Sequence, residues 1–245
     1  PLGERDTSGP TPAHLTARNG HTAALQVLAR AGVPLGERDA GGRTPAHVAA
    51  LFGHTAALEA LGREGAPLGD RDADGRTPAH LAAEIGDAAA SEGLALAAAP
   101  LGERDTTCMT PAHLAPLNGH AAALEALARA GAPLGERDAG SRTPTHVAAL
   151  FGHTAALEAL AHTDSPLDER DFHGVMLAHF AAANGHAAAL GALARAGAAL
   201  GECDADGSTP AHFTAQKGHA ASLEALARAG APPCECDDTG RTPAH

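Results

Sequence analysis

Apolar and polar positions along this chain of 245 residues recur in phase every 33 residues. One period, 34–66, reads PLGERDAGGRTPAHVAALFGHTAALEALGREGA. A polar opening rich in Gly, Asp and Arg is followed by two short apolar runs, separated by Gly53-His54. The first run predicts a helix over 46–52. Thr44 suits its N-cap, with the hydroxyl accepting from an early backbone N–H, and Pro45 suits the first helical position. Gly53 can take the left-handed backbone that ends it. The second helix opens at His54 or Thr55, runs through Ala56, Ala57, Leu58, Ala60 and Leu61, and closes at Gly65. Leu58 and Leu61 lie three apart and share a face, with Ala57 and Ala60 beside them. The stretch from Pro67 to Gly75, with Asp72, Asp74 and Gly75, carries turn chemistry.

Copies start at Pro1, Pro34, Pro67, Pro100, Pro133, Pro166 and Ala199, giving seven full repeats, and a partial eighth opens at Pro232. Thr-Pro-Ala-His begins at Thr11, Thr44, Thr77, Thr110, Thr209 and Thr242; Thr143-Pro144-Thr145-His146 and Met176-Leu177-Ala178-His179 fill the other two beats. Helices of roughly 8–10 residues are marginal alone, because nucleation costs more than so few bonds return. Neighbouring copies must therefore cover one another's apolar faces, which makes an extended surface rather than an enclosed catalytic pocket.

The period, the Thr-Pro-x-His signature, the Ala-Ala pair after it, the Gly-His between helices and the Gly after the second helix resemble the ankyrin repeat family. The resemblance covers 1–245 as one array. It implies an all-α helix-turn-helix solenoid with β-hairpin-like loops, and a non-catalytic protein–protein interaction module. Binding in that family uses the concave inner-helix face and the loop tips. The signature histidines, His14, His47, His80, His113, His146, His179, His212 and His245, take from the resemblance a structural hydrogen-bonding role. The family usually places leucine where Ala13, Ala46, Ala79 and Ala112 stand, so modest stability per repeat is expected. Repeat three departs furthest: Ser91 replaces a core leucine, Gly93 falls inside helix two and Ala98 replaces the closing glycine. Pro116 falls inside a helix of repeat four, Asp164 replaces the glycine ending repeat five, and Met176-Leu177 replace Thr-Pro.

The net charge of -12 argues against nucleic acid, whose phosphates need clustered cations, and the absence of Trp and Tyr removes base-stacking platforms. No apolar run approaches the ~20 residues of a membrane span. Four cysteines do not read as a disulfide framework, and the metal-chelating possibility at Cys234 and Cys236 lacks the four ligands of a structural zinc site. An intracellular setting, cytoplasmic or nuclear, is expected, and the chain reads as a piece of a longer protein. Histidines after the inter-helix glycine, at positions 21, 54, 120, 153, 186 and 219, follow the repeat template too, so the histidines carry no metal expectation. Asp6, Asp39, Asp72, Asp105, Asp138, Asp171, Asp204 and Asp237 form a column of turn-stabilising side chains. No base faces a unique nucleophile and no phosphate-binding loop is present, so neither catalysis nor a cofactor nor a small-molecule substrate is expected.

Comparison among copies locates the variable phases. In the loops these include Thr7, Ser8 and Pro10, or Phe172, His173 and Val175; in helix one they are the two residues before Gly, beginning with Arg18-Asn19. Leu51, Phe52, Ile85, Leu117, Leu150 and Phe151 are expected as an apolar strip on the inner face, with Glu84 in the same phase. A contiguous apolar strip suits a protein or peptide partner. The alternative is that Phe52 and Phe151 pack between copies. Arg5, Arg38, Arg71, Arg104, Arg137 and Arg170, joined by Arg43, Arg76, Arg142 and Arg241, either grip an acidic peptide or pair with neighbouring carboxylates as a solvated ladder. The candidate partner-binding set is Leu51, Phe52, Glu84, Ile85, Leu117, Leu150, Phe151, Arg43, Arg76 and Arg142. Copies two and five share 26 of 33 residues, which suits a duplicated block presenting similar surfaces twice. A structural spacer, or a substrate-recruiting arm of a larger multidomain protein, is the alternative function.

Overall fold

Two short helices per period, meeting at a glycine, supply the regular structure. The computed structural model describes residues 9–163, 166–231 and 242, and among the described residues there are fourteen α-helices and no strand. Pro1, Arg5, Asp6, Thr7, Ser8, Asp164, Pro232, Cys234, Cys236, Asp237, Arg241 and His245 lie outside the described residues. The chain divides into two compact units, Pro1–Pro133 and Leu134–His245. The first holds α1 (Pro12–Arg18), α2 (Thr22–Arg30), α3 (Pro45–Leu51), α4 (Thr55–Arg63), α5 (Pro78–Ile85), α6 (Ala88–Leu96), α7 (Pro111–Leu117) and α8 (Ala121–Arg129). The second holds α9 (Pro144–Phe151), α10 (Thr154–Ala161), α11 (Leu177–Ala183), α12 (Ala187–Arg195), α13 (Pro210–Lys217) and α14 (Ala220–Arg228).

Within the first unit α1, α3, α5 and α7 stack in one layer, and α2, α4, α6 and α8 in another. In the second, α9, α11 and α13 form the first layer and α10, α12 and α14 the other. Each odd helix also packs on the even helix that follows it. Alanine makes this close approach possible. Ala46, Ala49, Ala50, Ala79, Ala82 and Ala83 are wholly buried, and bulk comes from leucine pairs such as Leu58 with Leu61 and Leu124 with Leu127. Full burial of one leucine side chain is worth roughly 1.5–3 kcal/mol, so these pairs carry much of the apolar stabilisation.

The irregular copies are repaired locally. Asp87 stands where other copies have histidine, and its carboxylate caps α6 by accepting the Ala90 N–H at 2.9 Å. The buried Ser91 hydroxyl donates to the Asp87 carbonyl at 2.9 Å, so the missing leucine leaves no orphaned polar group there. A Cβ on Gly93 would lie 3.2 Å from Thr55 Cγ2, so this glycine lets α4 and α6 approach. Pro116 falls in the last turn of α7, where only one further residue remains helical. Ala98 holds the left-handed backbone of the glycine it replaces, at φ +57°.

Two glycine phases end helices with positive φ, but only one is crowded. A Cβ on Gly152 (φ +71°) would sit 2.5 Å from the His186 ring, whereas one on Gly197 (φ +80°) would meet nothing within 4 Å. Gly197→Ala should therefore cost about 1 kcal/mol through backbone conformation alone. Gly152→Ala should cost clearly more, roughly 2–4 kcal/mol, since the ring must also move; chemical denaturation of both variants measures the difference. Conversely, Ala98→Gly relieves the left-handed alanine and should stabilise the first unit by about 0.5–1 kcal/mol. Ala89→Gly, inside α6, should destabilise it by a similar amount.

Candidate functional site

Polar groups buried at the head of each odd helix fix the surface that the helix presents. Thr44 and His47 cap α3 reciprocally: the threonine side chain meets the His47 N–H, while His47 Nδ1 accepts the Thr44 N–H at 3.1 Å. On its other edge His47 Nε2 reaches the Arg76 carbonyl of the next repeat at 2.8 Å. An N–H must donate and a carbonyl must accept, so Nδ1 is bare and Nε2 carries the proton. His14 repeats the arrangement onto Arg43, His80 onto Met109 and His179 onto Ser208; His146 turns instead to Glu169 at 3.1 Å. Met176 keeps the backbone half of the cap, its N–H donating to His179 Nδ1 at 3.2 Å. The rings of Phe180 and Phe213 pack edge-on against His146 and His179. Burial pushes His47, His80 and His179 below the usual histidine range and His146 down to about 4.

A second histidine column ties neighbours at the other end of the helix. His54 Nε2 donates to the Arg18 carbonyl at 2.9 Å, and His186 to the Leu150 carbonyl at 3.1 Å. These carbonyls end the previous copy's odd helix and have no partner within it. Sequence reasoning treated this column as template only. Its role depends on a partner 36 residues away, and the room for the ring comes from Gly20 of the preceding copy, where a Cβ would lie 2.8 Å from His54 Nδ1.

The loops are built on the aspartate column. Asp39 Oδ1 accepts the N–H groups of Gly41 and Arg43, both at 2.9 Å, and Asp72, Asp105, Asp138, Asp171 and Asp204 do the same at their own phases. Burial alone would push the Asp138 carboxyl up, but the Arg142 guanidinium and the N–H groups of Arg142 and Gly140 hold it below the usual carboxylate range. Arg43, Arg76 and Arg142 rest their guanidinium groups on Asp39, Asp72 and Asp138 at 2.8–3.1 Å. Arg76 adds Asp74 and Glu84. Arg137 donates to the Ser141 and Arg170 carbonyls and pairs with Glu169; Arg170 repeats this one copy on, and Arg38 pairs with Asp70 and Arg71 with Glu103. This outer column is a ladder between loops, each pair exposed and individually weak.

The candidate residues fall into separate groups. A cleft of about 360 Å³ opens on the first unit between α1 and α3, lined by His14, Leu15, Arg18, Arg43, Leu51 and Phe52, with Asp39 at its side. Phe52 caps α3 and is 48% exposed; one face stacks on His54, ring centres 6.5 Å apart, and the Arg18 guanidinium carbon lies 5.5 Å from its ring centre. It therefore meets the preceding copy and solvent at once. In the same unit Ile85 is exposed at the end of α5, Glu84 is tied to Arg76, and Leu117 is half-buried at the end of α7. In the second unit Leu150 is half-buried and Phe151 is 46% exposed, stacked on His153 with ring centres 6.3 Å apart. Arg18 and Leu15 join the cleft without having been singled out. Arg18 was readable only as a variable residue, because what matters is its position over a ring 34 residues later. Among the described residues no group of three or more His, Cys, Asp or Glu could hold a metal ion, and no helix is long and apolar enough to cross a membrane.

Comparisons with known proteins agree with this architecture. The family model for ankyrin repeats (3 copies) matches residues 2–72. No curated protein matches the chain. Among solved structures, the human ASB11 ankyrin repeat domain is 25% identical, with a TM-score of 0.78 over 92% of this chain and 100% of its own. The ankyrin repeat domain of Bcl-3, a unique member of the IkappaB protein family, is 23% identical, with a TM-score of 0.79 over 90% of this chain and 99% of its own.

The buried histidines make stability depend on acidity. Their folded-state affinity for protons is lower than in the unfolded chain, so the unfolded state gains protons first as pH falls. Stability should be intact above about 6.5 and should fall between about 6.5 and 4; for His146 alone the shift to about 4 corresponds to roughly 3 kcal/mol. Denaturant unfolding at a series of pH values should show this slope. His146→Asn, which cannot titrate, should show a shallower one.

Proposed function

The chain belongs to the ankyrin repeat family, and from that premise we propose that it binds a protein or peptide partner without catalysing a reaction. Ankyrin repeat domains are in general protein–protein interaction modules. Contact is made by the ends of the odd helices and the adjoining loops: Leu51, Phe52, Ile85 and Leu117 on the first unit, Leu150 and Phe151 on the second. Glu84, Arg43, Arg76 and Arg142 form the charged flank. The observation that carries this reading is Phe52, a large aromatic half exposed above an open cleft although its backbone is fixed by a buried frame. Aromatic side chains offer large contact area with little conformational entropy to lose, which makes them effective anchors. Arg43 keeps its guanidinium on Asp39, so it shapes the rim of the cleft as well as charging it.

Phe52→Asp combined with Phe151→Asp tests the reading. Both rings are half exposed, so helical circular dichroism should stay at the wild-type level. Partners crosslinked to the wild-type chain and identified by mass spectrometry should drop at least about tenfold in yield with the variant, the scale expected for losing a buried aromatic anchor. An unchanged partner set would remove this face from consideration and favour a spacer role.

A further inference from the structure

The cations on the odd-helix face and in the loops are mostly committed within the protein. Arg43, Arg76 and Arg142 lie on their own aspartates, and Arg38, Arg71, Arg137 and Arg170 on the next loop. Arg18 differs. It lies on the cleft wall, exposed, and among the described residues its side chain has no carboxylate partner. Its backbone carbonyl is held by His54 Nε2 at 2.9 Å, and its guanidinium stands over the Phe52 ring. Arg18 and His54 thus both adjoin the Phe52 ring, which orders a guanidinium side chain that would otherwise lose roughly 1.5–2 kcal/mol of rotamer freedom on binding.

We infer that this cleft takes a short acidic peptide segment of a partner protein, a carboxylate meeting Arg18 and a neighbouring apolar side chain resting on Leu15, Leu51 and Phe52. The inference rests on the partner-binding reading and adds the partner's chemistry. A guanidinium fork matches a carboxylate with two parallel bonds, and the flat ring beneath keeps the fork facing outward. Asp39 does not compete, because its second oxygen is bonded to Arg43 Nε at 3.0 Å. The chain's net charge of -12 opposes an acidic ligand at long range. At physiological ionic strength that field decays over about 8 Å, so the local guanidinium decides the contact. The second unit repeats the aromatic stack at Phe151 and His153, but at the Arg18 phase one copy earlier the sequence has Leu117. Acid selectivity therefore belongs to the first unit.

Selection of random short peptides displayed on phage against the whole chain tests this. Enriched peptides are then synthesised with a fluorophore and titrated by polarisation against wild type, Arg18→Glu, Phe52→Asp and Phe151→Asp. The expected result is a motif joining Asp or Glu to an aliphatic or aromatic residue. Its affinity should fall about tenfold or more with Arg18→Glu and with Phe52→Asp, and hold with Phe151→Asp. Peptides without acidic residues, weakened by Phe52→Asp but indifferent to Arg18→Glu, would overturn the acidic ligand and leave the partner-binding face standing. Peptides indifferent to Phe52→Asp and Phe151→Asp alike, or no enrichment over bare support, would overturn both.

Discussion

A neutral imidazole carries one acceptor and one donor on opposite edges, and this protein buries that pair at the head of its odd helices. His47 accepts a hydrogen bond from the residue that begins its own helix and donates one to the loop of the next copy. One side chain thus closes a helix end and sets the distance to its neighbour. Leucine and alanine contacts alone would tolerate sliding, because apolar attraction has no direction. The imidazole bonds do not tolerate it, since a displaced copy would leave a buried N–H and a buried carbonyl unmatched. The alanine-rich interior is thin in apolar bulk, and the polar frame compensates by fixing position.

With that frame hidden, the outer residues are free to differ. The odd helices are held at their start by the signature histidine, paired with threonine except at Met176, and at their end by a positive-φ glycine, so their last residues face outward in a constant place. The chain puts Arg18, Phe52, Ile85, Leu117 and Phe151 at or near that place, a different chemistry in nearly every copy. Structural arginines stay in the loops, where aspartates and neighbouring carbonyls occupy them. Charge on the surface is consequently a poor guide to binding here, and Arg18, which among the described residues has no carboxylate on the odd-helix face, is more informative than the arginines that have one.

The helices were legible because their signals are local: a threonine before proline, a glycine after the last apolar residue, leucines three apart. The aspartate turn was legible for the same reason, since the N–H groups that its carboxylate accepts lie two and four residues on. Phe52 was half legible. It meets Arg18 of the previous copy and stays half exposed to solvent. The role of His54 and the stack under Arg18 were not legible, as each depends on atoms more than thirty residues distant. Nor could the sequence announce that Cys108 and Ser141 occupy left-handed turn positions, at φ +63° and +59°, where most copies place glycine. The surrounding turn imposes that backbone regardless of the side chain. The division into two units likewise has no mark in the repeat pattern, which runs through it unchanged.

The bonds joining neighbours span fixed sequence intervals: 29 residues from signature histidine to loop, 33 from arginine to loop and 36 from the second histidine to a helix end. Excising one whole period would therefore bring each donor to the same acceptor in the following copy. Such a chain can shorten or lengthen by unequal crossing-over of its gene without inventing a single new contact. Among the described residues His146 departs from this interval, its acceptor lying only 23 residues on. A joint placed there would need a loop of its own kind.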